Sequence, residues 1–285
     1  MPVDPVHPSL LRPEKAVRAC VLALDTTAGA CSVAVVDERV RASTSVSMTQ
    51  GHSRHLLRLV NEVLSESGLS SREIGAIAFG SGPGSFTGLR VACGVAQGLA
   101  LGWGLPVIGV DALTSLAWQA AQAAIDSGES CAQDLLLVAL DLRMQEVAHT
   151  VFRLGDFDLQ LIHERGAWPS PVLPVQLGSA QAAVRSFEQS ACSRVWLAGD
   201  GFDAHALLAD WVSERGVSSG IKLLRPESAI QPQAWSVARL AQIGEGLGQA
   251  VDAARASPFY LRDKVALDVD EQAAVRAARN AARAG

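Results

Sequence analysis

The 285-residue sequence has few cysteines and no Cys-x-x-Cys pair. Its five cysteines, Cys20, Cys31, Cys93, Cys131 and Cys192, are odd in number and widely scattered. That spacing excludes a disulfide framework and reads as reduced thiols of a cytoplasmic protein. No apolar run approaches the ~18 residues that cross a bilayer, so no membrane partner is expected. The start, Met1-Pro-Val-Asp-Pro-Val-His-Pro8, carries no apolar signal core, which argues against secretion. Positive charge is scarce too: 24 Lys and Arg face 29 Asp and Glu, for a net charge of −5. A chain that binds nucleic acid unaided needs a basic footprint against the phosphates, and this one lacks it. Finally, no Gly-x-Ser-x-Gly elbow and no His-Glu-x-x-His pair occurs, so hydrolase readings have no anchor.

What the sequence does hold is core. Hydrophobic residues make up 49% and charged ones 19%, enough for two lobes of ordinary size. Ala19-Cys-Val-Leu-Ala-Leu-Asp25 is a nearly unbroken apolar run ending in an acid, which suits a strand buried on both faces. Strands at Cys31–Val36 and Val40–Val46, a helix over 53–67, a strand at Ile74–Phe79 and a helix over 89–103 follow. The same order then recurs. Asp134–Leu140 ends at Asp141, and strands at Val147–Phe152 and Leu159–His163 come next. A helix over 179–190, a strand at Arg194–Ala198 and a helix near Ala204–Trp211 complete it. Asp25 stands 55 residues before Gly80 and Asp141 stands 58 before Gly199. Equal order at near-equal spacing predicts an α/β protein of duplicated β-β-β-α-β-α lobes, the actin-like and Hsp70-like (ASKHA) class. The expected division is a flexible N-terminal tail over 1–17, lobes over 18–110 and 111–266, and an Ala/Arg-rich tail over 267–285.

In that class a nucleotide lies between two β-hairpins, each near an acid at a first strand end. Asp25, Thr26 and Thr27 stand where the first hairpin would be, and such a turn either cradles an anion or merely caps itself. Opposite, Asp141 is followed by Leu142 and Arg143, whose bulk would crowd a phosphate. The richest pattern is Gly80-Ser-Gly-Pro-Gly-Ser-Phe-Thr-Gly-Leu-Arg90, feeding a helix N-terminus. It lacks the Lys-Ser/Thr ending of a P-loop. Two readings stay open: an anion contact through Gly82, Gly84 and Ser85, or a structural turn with Ser85 or Thr87 as N-cap. His52 and His55 share a helix face, but with no third ligand they make no metal site.

Two helices look built for contact. Leu56, Leu57, Leu59, Val60, Val63 and Leu64 spread over ~160° of the first, wider than a sheet-facing stripe needs. The second carries a smooth row, Gly94, Gly98 and Gly102, where each glycine weakens the helix by ~1 kcal/mol. The two helices pack either on each other alone or, through Leu56, Val60, Leu64, Arg90 and the glycine row, on a partner.

Several of these segments resemble the bacterial TsaB (YeaZ) family. They are Leu24-Asp-Thr-Thr27, Gly51-His-Ser-Arg-His-Leu-Leu57, Phe79 to Val91, Gly104-Leu-Pro-Val-Ile-Gly-Val110, Ala139-Leu-Asp-Leu-Arg-Met144 and Pro258-Phe-Tyr-Leu-Arg262. The resemblance implies a non-catalytic subunit that pairs with TsaD and, through that pair, with the ATPase TsaE. Together they place threonylcarbamoyl on N6 of adenosine 37 in tRNAs reading codons that begin with A. It also implies tRNA contact only within the complex, a homodimer when TsaD is absent, and ATP and metal held by the partner subunits. TsaD, a paralogue, holds its catalytic metal with a His-x-x-x-His pair. Ala112 and Leu116 fall at those positions here. The family's Asp-Ala-Arg-Met-Gly-Glu-Val-Tyr reads Asp141-Leu-Arg-Met-Gln-Glu-Val-Ala148 in this chain. The alternative of another class is a stand-alone ATPase or small-molecule kinase of the same fold.

Overall fold

The computed structural model describes residues 20–261, apart from 38, 48–51, 129, 158–170, 190–193, 219–221 and 247–248. In the first half, strands β1 (Val21–Asp25), β2 (Ala30–Val36) and β3 (Val40–Ser47) precede helix α1 (His52–Ser67). Then come β4 (Ala76–Gly82), α2 (Phe86–Trp103), β5 (Val107–Asp111) and α3 (Ala112–Asp126). The second half gives β6 (Leu135–Asp141), β7 (Val147–Arg153), β8 (Leu173–Gly178), α4 (Ala180–Glu188) and β9 (Arg194–Ala198). It ends with α5 (Gly201–Ala204), α6 (Ala206–Ser218), β10 (Lys222–Leu224) and α7 (Ala234–Gly246).

Each half makes one five-stranded sheet, ordered β3-β2-β1-β4-β5 and β8-β7-β6-β9-β10. The first three strands of each pair antiparallel, and the others join in parallel through helical crossovers. The repeat expected from sequence is present, and it is longer by one strand and one helix. The strand next to β7 is Leu173–Gly178; the expected strand at Leu159–His163 lies outside the described residues, as do both tails.

The first strands read as unbroken apolar runs because both of their faces are covered. Leu22 and Leu24 of β1 face α1 and α2, while Val21 and Ala23 face α3 and α7 between the sheets. Leu136 and Val138 of β6 face that same middle layer, and Leu135 and Leu137 face α4 and α6. The last helices serve both lobes: α3 lies mainly against β6 and β9, and α7 against β1 and β2. This amends the division at 110/111. Val237, Ala238, Leu240 and Ala241 of α7 are fully buried in the core that includes Val21, Ala23 and Val36. Val251 bridges Val107, so the described residues between 234 and 251 pack with the N-terminal lobe.

Candidate functional site: an inter-lobe cleft and the outer face of α2

Asp25 closes β1 and is fully buried. Its Oδ1 accepts from the Thr27 amide at 2.9 Å and the Thr27 hydroxyl at 2.8 Å. Its Oδ2 has no hydrogen-bond partner among the described residues and lies under Gly80, where an added Cβ would fall 2.0 Å from it. Burial pushes its pKa up to about 6 despite the opposing Thr27 bonds. Thr26 donates its hydroxyl to the Gly88 carbonyl at 2.7 Å, and the Ser85 amide donates to the Thr27 carbonyl at 2.7 Å. A Cβ on Gly88 would stand 1.9 Å from the Thr26 carbonyl, and one on Gly84 2.3 Å from that of Thr27. The glycines thus let the β4–α2 loop lie directly on the β1–β2 turn. Ser85 is the N-cap of α2, accepting from the Gly88 amide.

On the opposite wall, the Asp141 amide donates to Asp200 Oδ1 at 2.9 Å. The Asp141 carboxylate takes the Arg143 amide, the Arg143 guanidinium at 3.2 Å and His205 Nε2 at 3.1 Å. Burial, with the neighbouring Asp141 charge adding, pushes the Asp200 carboxyl above its ordinary value. Arg143, Met144 and Gln145 all have left-handed backbones, with φ of 66°, 53° and 65°. Three successive side-chain-bearing residues in that region are costly, so this hairpin is held by its surroundings.

Between these walls lies a cleft of about 700 Å³. Thr27, Gly84, Ser85 and Phe86 line one side, Asp141, Leu142, Arg143, Met144 and Asp200 the other, and Phe259, Tyr260 and Leu261 complete the lining. The candidate anion residues therefore separate. Thr27, Gly84, Ser85 and Asp141 reach the cleft, while Asp25, Thr26 and Gly82 are buried outside its lining. For Asp25 and Thr26 the anion reading is corrected: carboxylate and hydroxyl are turned inward to lock the glycine loop. Among the described lining residues, the Thr27 hydroxyl is already donating, and the carboxylates of Asp141 and Asp200 share the wall with the guanidinium of Arg143.

The partner-face residues also separate. Leu56 and Val60 are 0% and 2% exposed, packed on the sheet with Leu59 and Val63, so their assignment to a partner surface is overturned. Burying each contributes ~1.5–3 kcal/mol to the lobe itself. Leu64 is half-buried, and Leu57 carries the exposure instead, at 49%. Arg90, Gly94, Gly98 and Gly102 are all exposed on α2, and a Cβ on any of the three glycines would meet nothing within 4 Å. Leu101 beside them is 80% exposed.

His55 lies 3.5 Å from an Arg58 nitrogen, and the His52 side chain is outside the described residues. A Ser186–His149 contact of 3.2 Å is carried by α4 and β7, with His149 buried beside Phe187 away from the cleft lining. Sequence reasoning did not single out Phe86, Asp200 or Phe259–Leu261 as cleft residues. The motif Pro258-Phe-Tyr-Leu-Arg262 was the available signal for the last group.

Two equivalent sheets, with their last helices between them and a cleft at the strand ends, define an actin-like protein. Residues 44–165 match the family model of TsaD, tRNA N6-adenosine threonylcarbamoyltransferase. The chain is 32% identical to the tRNA threonylcarbamoyladenosine biosynthesis protein TsaB of Haemophilus influenzae, over 86% of this chain and 94% of that one. It is also 32% identical to TsaB of Escherichia coli K12, over 86% and 96%. YeaZ from Pseudomonas aeruginosa superposes with a TM-score of 0.63 at 30% identity, over 85% of this chain and all of that one. A further Pseudomonas aeruginosa structure, described as similar to peptidase YeaZ, gives 0.66 at 30% over 86% of this chain. The chain belongs to the TsaB family.

Proposed function

We propose that this chain is the non-catalytic, activating subunit of the cytoplasmic assembly that adds threonylcarbamoyl to N6 of adenosine 37 in tRNA. It acts by pairing directly with TsaD. The carrying observation is at the head of α3. Ala112 and Leu116, which fall where the TsaD paralogue has its metal-binding histidines, are both fully buried in the core between the sheets. Neither side chain can ligate a metal, and their burial fills the space with packing contacts. The exposed outer face of α2, with its open glycine row and Leu101, supports the pairing, because backbones approach most closely where no Cβ intervenes. TsaE joins through that pair, tRNA binds only to the assembly, and a homodimer covers the same face when TsaD is absent.

ATP and metal belong to the partner subunits in this reading, and the committed Thr26 and Thr27 hydroxyls argue against a stand-alone ATPase or kinase. The test combines the purified chain, TsaD and TsaE with tRNA, ATP and the threonylcarbamoyl precursors, and measures the modified nucleoside by mass. Modification is expected only with TsaD present, and more with this chain than without it. Metal-dependent modification, or steady ATP turnover, by the chain alone would overturn the proposal.

A further inference from the structure

Arg90 is the single charged residue of α2 and stands one turn before Gly94, at the head of the exposed glycine row. Its guanidinium lies 3.5 Å over the Phe86 ring centroid and 5.6 Å from that of Tyr260. Its Nε donates to the Tyr260 hydroxyl at 3.1 Å, and the two rings are 5.5 Å apart. Tyr260, the one tyrosine of the chain, is itself pinned. The adjacent Phe259 amide donates to the Ser81 carbonyl at 2.7 Å, and the Ala256 carbonyl takes Gln97 Nε2 at 3.0 Å. The segment 256–261 thus straps across the first turns of α2 and holds one arginine in place.

An exposed arginine ordinarily samples many rotamers, and binding through it loses that freedom. Here the ordering precedes any binding event. Nη1 and Nη2 have no hydrogen-bond acceptor among the described residues, which leaves four donors in a planar fork held by Nε and the two rings. A held, outward, uncompensated fork is a receptor for a planar oxyanion. Both a carboxylate and a backbone phosphate offer that chemistry, and the surroundings favour the former. A phosphate track needs further cations, whereas here the fork continues into bare glycine backbone and Leu101.

We propose that Arg90, positioned by Phe86 and Tyr260, is the charged anchor of this face and takes an Asp or Glu carboxylate of the partner protein. The proposal rests on the pairing with TsaD argued above. It makes the 256–261 strap a positioning element for recognition as well as part of the cleft lining.

The test measures the affinity of TsaD for the wild-type chain, Arg90→Gln, Arg90→Lys, Tyr260→Phe and the Arg90→Gln/Tyr260→Phe double variant. Arg90→Gln is expected to weaken binding roughly tenfold to hundredfold, as for a hydrogen-bonded charge left unpaired. Arg90→Lys restores little, because a point charge cannot fork. Tyr260→Phe keeps the ring and costs a few-fold, and in the Arg90→Gln background it costs nothing further, since Tyr260 acts through the arginine. Uniform fluorotyrosine labelling places one ¹⁹F resonance at Tyr260, expected to move on adding TsaD and to be displaced in Arg90→Gln. All side chains concerned are exposed, so melting temperatures should match wild type. Unchanged TsaD affinity in Arg90→Gln would sink the proposal, and so would full additivity in the double variant. If Arg90→Gln pairs normally with TsaD but the assembly loses tRNA affinity, the fork serves a phosphate and the carboxylate assignment is wrong. If the wild-type chain does not bind TsaD at all, the functional reading fails first, and the anchor with it.

Discussion

The buried carboxyl of Asp25 makes stability depend on pH in an unusual direction. Most native carboxylates sit below their ordinary pKa, so acid removes stability. Asp25 is lifted from 3.8 to about 6, because burial penalises its charged form more than the two Thr27 bonds favour it. The unfolded chain, with the lower pKa, gives up this proton more readily. The contribution is therefore complete below pH 3.8 and is lost as pH rises through 6. The gap between those values corresponds to about 3 kcal/mol in full, of which about 2 kcal/mol falls between about pH 4.5 and pH 7.5. Asp25→Asn keeps an acceptor for Thr27 and places a neutral group under Gly80, as the protonated acid does.

Urea unfolding of wild type and Asp25→Asn at those two pH values isolates the carboxyl, since every other group titrates in both proteins. This matters because His149 works oppositely. Burial holds its pKa down, so its neutral form loses stability as pH falls below 6.5. The expected result is that the variant gains about 2 kcal/mol on wild type between the acid and the neutral condition. A wild-type-minus-variant difference that stays flat across the range would refute the reasoning, and would mean that water or a shifted loop solvates Oδ2.

Three further outcomes follow from the packing. Gly88→Ala drives a Cβ to within 1.9 Å of the Thr26 carbonyl. It should cost about 3 kcal/mol or more in urea unfolding, a backbone clash with no flexible side chain to yield. Gly98→Ala faces open space and should raise the stability of the isolated chain by ~1 kcal/mol through helix propensity alone. Gly98→Leu should fold equally well yet lose on the order of 2 kcal/mol or more of TsaD affinity in calorimetry. Leu56→Ala should lower stability by ~2–5 kcal/mol through a core cavity, while the folded fraction still binds TsaD normally.

The doubly covered strands were the legible part of this fold. β1, β4, β6 and β9 are apolar on both faces because helices lie on both, and no other common local pattern writes that signature so plainly. What stayed hidden was destination. The buried residues of α7 would suit either sheet, and nothing local tells a helix at 234–246 to return to strands more than 200 positions earlier. The Arg90–Tyr260 bond was hidden for the same reason, since 170 residues separate its ends. On α1 the sequence pattern leaves the occupant of the wide apolar arc open, and burial decides it. The sheet takes Leu56 and Val60, and the outward share falls to Leu57.

Asp25 shows how a pattern can be real and still carry a meaning different from its commonest one. The acid at a strand end, 55 residues before a glycine, signals the duplicated fold. In this chain the two residues are coupled by sterics, since the carboxylate occupies the space where a side chain at position 80 would be. In the second lobe the corresponding glycine, Gly199, is held differently: a Cβ there would strike the Ala139 carbonyl at 2.0 Å, and Asp141 pairs instead with Arg143 and His205. The repeat of spacing is thus maintained by two unlike packing contacts. An alteration at position 25 should therefore be felt first in the seating of the β4–α2 loop, and only through that loop at Ser85, Phe86 and Arg90 on the exposed face of α2.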